Sequence, residues 1–162
     1  MFVRYWLWPL VWMGVIFYSS STPYEEQDIK PFMSDVMDLS FLAPMLDWIQ
    51  FTYHHSEVSV EALGVNGLVE FFIRKGAHVS VFLLLCMFFY IALRKSTNLT
   101  WGRSALMSLL FTFLYAVFDE VHQGFTPNRT PYAGDVALDT AGALLACGLF
   151  WLRNRLKRRS SL

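Results

Sequence analysis

The hydrophobic positions of the chain form four long runs, separated by segments rich in polar residues. A helix that crosses the hydrocarbon core of a bilayer needs roughly 20 mostly apolar residues. Windows of that length can be placed at residues 2–20, 68–93, 104–121 and 132–152. The pattern therefore predicts a single-domain, all-α membrane protein with four transmembrane helices, a long loop at 21–67 and a tail at 153–162.

The long loop has a hydrophobic pattern of its own. Apolar side chains recur at helical spacing against Ser34, Asp35 and Asp38; they are Phe32, Met33, Val36, Met37 and Phe41. This spacing predicts an amphipathic helix in the membrane interface. A second apolar stretch at 45–51 follows Pro44, and its Trp48 is typical of an interfacial belt, as is the neighbouring Tyr53. We interpret both stretches as helices that cap the bundle, with a substrate lid as the alternative.

Composition supports a lipid environment. The chain is 55% hydrophobic and only 16% charged, whereas soluble domains are about a quarter charged. Cys86 and Cys147 lie inside apolar runs without the spacing of a disulfide framework or a zinc site. The first run resembles a signal peptide because Arg4 precedes it, but Ser19, Ser20 and Ser21 make a poor cleavage site. We therefore expect a retained membrane anchor.

Charge asymmetry predicts the orientation, because Lys and Arg accumulate in cytoplasmic loops. Nine of the thirteen basic residues lie on one side of the predicted spans: Arg4, Arg94, Lys95, Arg103, Arg153, Arg155, Lys157, Arg158 and Arg159. All thirteen acidic residues lie on the other side. Both termini are therefore predicted to be cytoplasmic, in a multi-pass protein of the bacterial inner membrane.

Polar residues gather at the outer ends of three spans. The second span opens with Lys75-x-x-His78, and the fourth opens with Asp135-x-x-x-Asp139. The third ends in a motif that continues into a turn, Asp119-Glu120-x-x-Gln123-x-Phe125-x-Pro127-x-Arg129. A carboxylate at a helix centre costs about 3 kcal/mol on insertion scales, so these acids need partners or a wet cavity. We expect three helices to share one outward-facing pocket.

Together these motifs resemble the VanZ-like family, over essentially the whole chain. The end of the first span, Phe17-Tyr-Ser-Ser20, is also similar to that family. The resemblance implies a bacterial membrane protein of about four helices, and the family's namesake is associated with low-level resistance to the glycopeptide teicoplanin. It implies no particular reaction.

The residues suggest two sets of roles at the pocket. The candidates for acid–base catalysis are His78, Glu120, Asp135 and Asp139. The candidates for substrate binding are Lys75, Asp119, Gln123 and Arg129, with Arg129 suited to grip a phosphate or carboxylate. The structural alternative is that these acids and bases only pair with one another and fix the bundle. We expect His54 and His55 to be solvated, and His122 and the serines at 19–21 to be peripheral.

Three functions remain open from the sequence. The first is an enzyme of the cell envelope that processes an anionic lipid or lipid-linked precursor. The second is a non-enzymatic accessory or binding protein that influences glycopeptide susceptibility. The third is a proton-coupled carrier, for which four helices without a repeat are few. Membrane lipids are the expected partners, and no nucleic acid is expected because the sequence has no nucleic-acid signature. No metal ligand is assigned, although the carboxylates and His78 are possible ligands of a divalent cation. The cofactor and the oligomeric state stay unknown.

Overall fold

The computed structural model describes residues 3–27, 29 and 39–159 of the chain, and it is mostly helical. In chain order the elements are α1 (Val3–Ser20), a 3₁₀ turn (Tyr24–Gln27), a second 3₁₀ turn (Ser40–Leu42), α2 (Ala43–Leu46), β1 (Gln50–Tyr53), β2 (Ser56–Ser59), α3 (Val60–Ser96), α4 (Trp101–Gln123) and α5 (Ala133–Arg159).

Three of the helices are long and apolar enough to cross a membrane. They are α3, α4 and α5, which cover the second, third and fourth predicted spans. Helix α1 covers the first predicted span but is not among the three. Its 18 residues include Arg4, Pro9 and three tryptophans, which lower its mean hydropathy. The second, third and fourth predicted spans are thus supported by length and composition. The first predicted span, which α1 covers, stays a prediction.

Two of the helices extend beyond the predicted spans. Helix α3 begins at Val60 instead of 68, with a break at Gly64, whose φ of 70° and ψ of 170° separate a first turn from the main helix. The remaining 32 residues, 65–96, measure about 48 Å, whereas the hydrocarbon core of a bilayer is roughly 30 Å thick. The helix is therefore longer than the hydrocarbon core, and its polar ends lie outside that core. Helix α5 likewise continues to Arg159, so most of the predicted tail is helical.

Two apolar clusters hold the helices together. The first joins α1, α3 and α4 through Ile16, Phe82, Leu85, Phe89, Tyr115 and Ala116. The second joins α3, α4 and α5 through Cys86, Ala105, Ala143, Ala146 and Phe150. Small residues dominate the second cluster, which allows the helix backbones to approach closely, as is common in membrane bundles. Both cysteines are free thiols, with Cys86 buried in that cluster.

Helix α1 runs antiparallel to α3 along most of its own length. Near the start of α1, the indole of Trp6 donates to Ser96 Oγ, at 3.0 Å, at the end of α3. Further along, Trp12 Nε1 donates to Val81 O at 3.0 Å. At its end, Ser20 O accepts a hydrogen bond of 3.0 Å from Thr126 Oγ1, in the loop after α4. The two termini of α1 thus reach the two opposite ends of the bundle.

The long loop differs from the prediction. The amphipathic helix predicted around residues 32–41 lies largely outside the described residues. The second predicted helix is wrong: after the single turn of α2 the chain forms an antiparallel hairpin of β1 and β2, in which Tyr53 pairs with Ser56. Its two turn residues, His54 and His55, have φ of 48° and 63°. Positive φ at both positions is the geometry of tight hairpin turns. The helical spacing of this short apolar stretch gave no indication of such a turn.

A close approach of α3 and α5 depends on Gly142. A Cβ added there would lie 2.2 Å from Val79 O, a backbone atom that cannot move aside independently. The contact lies one turn beyond Asp139 along α5. Because the absence of a side chain permits this approach, Gly142 sets the spacing of the two helices beside the predicted pocket.

We predict that Gly142→Ala destabilises the protein by about 1–3 kcal/mol, because the added methyl group overpacks a helix contact. Gly148→Ala is the matched control in the same helix, since nothing lies within 4 Å of the added Cβ. It should be neutral or slightly stabilising, by up to about 1 kcal/mol, because alanine favours helix more than glycine does. Thermal unfolding of the purified variants in detergent measures both effects. Equal stability of the two variants would contradict the close-approach role of Gly142.

Candidate functional site

A cavity of about 600 Å³ lies at the end of the bundle where the polar motifs converge. Helices α1 and α3 form its long walls, the end of α4 and the start of α5 contribute acids, and the β1–β2 turn lies against it. Its lining changes from apolar side chains such as Val81 and Phe82 to charged ones such as Arg74 and Lys75. The cavity is therefore amphipathic.

Two polar contacts connect α3 to α5 at the edge of the cavity. Lys75 Nζ donates to Asp135 Oδ1 at 2.5 Å, and one turn further along, His78 Nδ1 lies 3.1 Å from Asp139 Oδ1. The spacings match because Lys75 and His78 are three residues apart and the two aspartates are four apart, so each pair occupies one helical face. The two helices run in the same direction, and they form two successive rungs.

The second rung has the arrangement of an acid–base dyad. Asp139 is fully buried, whereas the side chain of His78 is 21% exposed and lines the cavity. A carboxylate that engages Nδ1 orients the imidazole ring and leaves Nε2 as the second titratable ring nitrogen. This geometry suits proton transfer at Nε2.

A second network runs from α4 into the loop after it. Gln123 Nε2 donates to Asp119 Oδ2 at 2.9 Å, and Gln123 Oε1 accepts from Arg129 Nη1 at 3.0 Å. The amide thus lies between the acid and the base, and its orientation is determined by both. Arg129 Nη2 also donates to Gln27 Oε1 at 2.5 Å, which ties the segment after α1 to the same network.

Glu120 makes its hydrogen bond outside its own helix. Its Oε1 accepts a hydrogen bond of 2.5 Å from the backbone N–H of Tyr132, just before α5. Gln123, three residues further along α4, contacts Asp119 and Arg129. An acid at this position satisfies a backbone donor near a helix start, where donors lack intrahelical partners. Glu120 therefore connects the end of α4 to the start of α5.

Carboxyl groups outnumber permanent cations around the cavity. Among the described residues, the cations Arg74, Lys75 and Arg129 line the cavity together with the acids Glu70, Asp119 and Asp135, and two more acids, Glu120 and Asp139, lie beside it. Buried oxygens of Asp119, Glu120 and Asp139 have no hydrogen-bond partner among the described residues. Buried polar groups without partners are costly, so these oxygens are the acceptors of the site that have hydrogen-bonding capacity left.

Burial also shifts the pKa of two groups of the site that lie outside the spanning helices, Tyr53 and Arg129. The phenol of Tyr53 donates to Asp135 Oδ1 at 2.6 Å, and its pKa is raised by burial and by this hydrogen bond. Burial, together with the nearby Arg74, lowers the pKa of Arg129. Tyr53 thus remains a neutral donor at physiological pH, and Lys75 Nζ lies 4.4 Å from the centre of its ring.

All eight predicted residues lie in or directly beside this site. Sequence reasoning missed three others: Tyr53, which was assigned to an interfacial belt; Gln27, for which no motif exists; and His54, which was expected to be solvated. The ring of His54 stacks on Tyr132 at 4.6 Å. The hairpin turn brings Tyr53 and His54 to the cavity, and the helix prediction for this stretch of the loop left no sign of it.

The other candidates take no part in the dyad. His122 stacks on Phe17 at 4.1 Å, between α1 and α4. Ser21 Oγ donates to Phe17 O, and Ser19 O accepts from Gln27 Nε2, as is common at a helix end. Ser19 and Ser20, which were expected to be peripheral, line the cavity. Within the described ranges, no three histidine, cysteine or acidic side chains are arranged to hold a metal ion.

Comparison with known proteins places this arrangement in a family. A family model described as VanZ/LLP1 matches residues 5–154 of the chain. The chain belongs to the VanZ/LLP1 family. The match runs from α1 into α5 and includes every predicted site residue, so the resemblance inferred from the motifs is confirmed. The comparisons with curated proteins and with solved structures found no match.

Family membership covers the helical bundle and the cavity together, because the matched range leaves out only four residues at the start and eight at the end of the chain. The matched range therefore contains the residues of both rungs, Lys75–Asp135 and His78–Asp139. Family membership assigns no reaction.

Proposed function

We propose that this VanZ/LLP1 family protein binds the anionic head group of a lipid or lipid-linked envelope precursor in its cavity and acts on it by acid–base chemistry. The observation that carries the proposal is the amphipathic lining. Cationic side chains at one end provide sites for a phosphate or carboxylate, and apolar walls at the other provide sites for hydrocarbon.

The proposal includes a topology with four spans and with the cavity on the outer side of the bacterial inner membrane. Contacts of α1 with both ends of the bundle support its being the fourth span, since Trp6 and Ser20 reach opposite ends. The basic residues at the end of α5 and in the α3–α4 loop support cytoplasmic termini. The tryptophans that lower the hydropathy of α1 are common at membrane interfaces.

Labelling of single cysteines tests the topology. In a background in which Cys86 and Cys147 are alanine, we expect an impermeant maleimide to label His55→Cys in intact spheroplasts, because His55 is exposed and the proposed topology puts it on the outer side. Asn98→Cys, exposed between α3 and α4, should be labelled only after permeabilisation. The reverse pattern would place the cavity on the cytoplasmic side and contradict the proposal.

Head-group binding is attributed chiefly to Arg129. Its guanidinium lines the cavity and keeps Nε without a hydrogen-bond partner among the described residues. A planar guanidinium matches the geometry of phosphate oxygens and stays protonated at neutral pH. Lys75 and Arg74 add positive charge nearby, although both already contact acids.

We predict that Arg129→Gln weakens binding of phosphatidylglycerol roughly tenfold to a hundredfold relative to the unchanged protein, the equivalent of one charge-assisted hydrogen bond. Affinity is measured by titrating the lipid into purified protein in a neutral detergent, with phosphatidylcholine as the uncharged reference. Arg103→Gln is the matched control, since Arg103 is exposed at the opposite end of the bundle. Equal losses in both variants would indicate a nonspecific charge effect and contradict a head-group site at Arg129.

The acid–base step is assigned to His78, oriented by Asp139. In a hydrolysis, His78 Nε2 takes a proton from water as the water oxygen bonds to the phosphorus or carbonyl carbon of the head-group ester. The proton then passes to the leaving oxygen as the original ester bond breaks. Water is the only co-reactant, and the histidine returns to its starting state.

Conservative variants separate an enzyme from an accessory protein. We expect His78→Gln and Asp139→Asn to retain phosphatidylglycerol affinity within about threefold, because neither residue is assigned to head-group binding. Cells that carry either variant should have the lipid profile of cells lacking the protein. Thermal unfolding identifies variants that fail to fold. A normal lipid profile with both folded variants would overturn the enzyme hypothesis and favour the accessory role, including an effect on teicoplanin susceptibility.

A further inference from the structure

Two exposed apolar residues on neighbouring helices line the cavity. They are Val15 of α1, which is 49% exposed, and Ala77 of α3. Exposed side chains that line a cavity lie in its open parts. These two residues define what we call the side portal.

The lower edge of the side portal is closed by a direct contact of the two helices. Trp12 Nε1 donates to Val81 O at 3.0 Å. Val15 and Ala77 lie about one turn above this contact on each of the antiparallel helices. The helices are therefore in direct contact just below the portal.

The position of the side portal relates it to the membrane. Val15 lies five residues before Ser20, about 7.5 Å from the outer end of α1, a depth at which acyl chains are present if α1 spans the bilayer. Charge lies on the other side of the rim: Arg74 and Lys75 are within one turn of Ala77 and line the same cavity. Passage from outside to inside thus leads from an apolar rim to cationic groups.

We propose that the ligand enters through the side portal from the outer leaflet, as a membrane lipid whose acyl chain stays between Val15 and Ala77 while its anionic head group reaches the cations. This inference rests on the proposed function and adds the route and the class of ligand. It specifies a lipid with its chains in the bilayer, in contrast to a soluble phosphate ester that enters from the aqueous face. The charge gradient and the apolar rim match the two ends of such a molecule.

Obstruction of the rim tests the proposal. Ala77→Trp should weaken binding of phosphatidylglycerol at least about tenfold, because it displaces the contact area of two or more methylene groups. Binding of soluble glycerol phosphate, which has the head group but no chain, should change less than about threefold. Ile73→Trp is the matched control, since Ile73 is 51% exposed on the same helix and does not line the cavity. Unchanged phosphatidylglycerol affinity in Ala77→Trp would overturn the portal and leave the head-group site intact.

A reversible crosslink across the side portal tests the proposal even if the Ala77→Trp variant does not fold. With Cys86 and Cys147 replaced by alanine, Val15→Cys and Ala77→Cys are joined by a bismaleimide with a cleavable disulfide spacer. Crosslinked protein should lose phosphatidylglycerol binding and recover it on reduction, while glycerol phosphate binds throughout. Phosphatidylglycerol binding by the crosslinked protein would overturn the portal. Absence of phosphatidylglycerol binding in the unmodified protein would instead overturn the proposed function.

Discussion

The pairing of α3 with α5 at their polar ends is the contact on which the rest of the structure depends. A lysine and two aspartates near the hydrocarbon are tolerated only with partners, since an unpaired charge there is expensive. Lys75–Asp135 and His78–Asp139 meet this need with two rungs, and the close approach at Gly142 holds the helices at the required spacing. Register and separation are thus determined together, because a shift of one residue would break both rungs.

The same pairing forms one edge of the cavity, because Lys75, His78 and Asp135 line it. The cavity extends from there between α1 and α3, toward the contact of Trp12 with Val81. The hairpin and the segment after α1 then contribute Tyr53 and Gln27 to the polar end. The space is amphipathic because apolar residues of α1 and α3 line one part of it and these polar side chains line the other.

Acids in and beside this site exceed the fixed cations, and some of their oxygens have no partner. An unpartnered buried acceptor lowers the free energy of unfolding. Asp119, Glu120 and Asp139 each keep one such oxygen among the described residues. The Gln123 amide also keeps Asp119 from pairing directly with Arg129. The arrangement retains hydrogen-bonding capacity for a ligand or a proton.

Much of this protein was determined by its sequence alone. Apolar runs of sufficient length defined α3, α4 and α5, and the i, i+3 and i, i+4 spacings placed Lys75, His78, Asp135 and Asp139 on shared faces, because helical periodicity is a local property. Tertiary structure decided what local spacing cannot: that Lys75 pairs with Asp135 and His78 with Asp139, that Glu120 binds the Tyr132 amide, and that a hairpin brings Tyr53 to the site. These contacts join residues from different elements. They depend on helix spacing at Gly142 and on the backbone conformation of a two-residue turn, neither of which produces a periodic pattern.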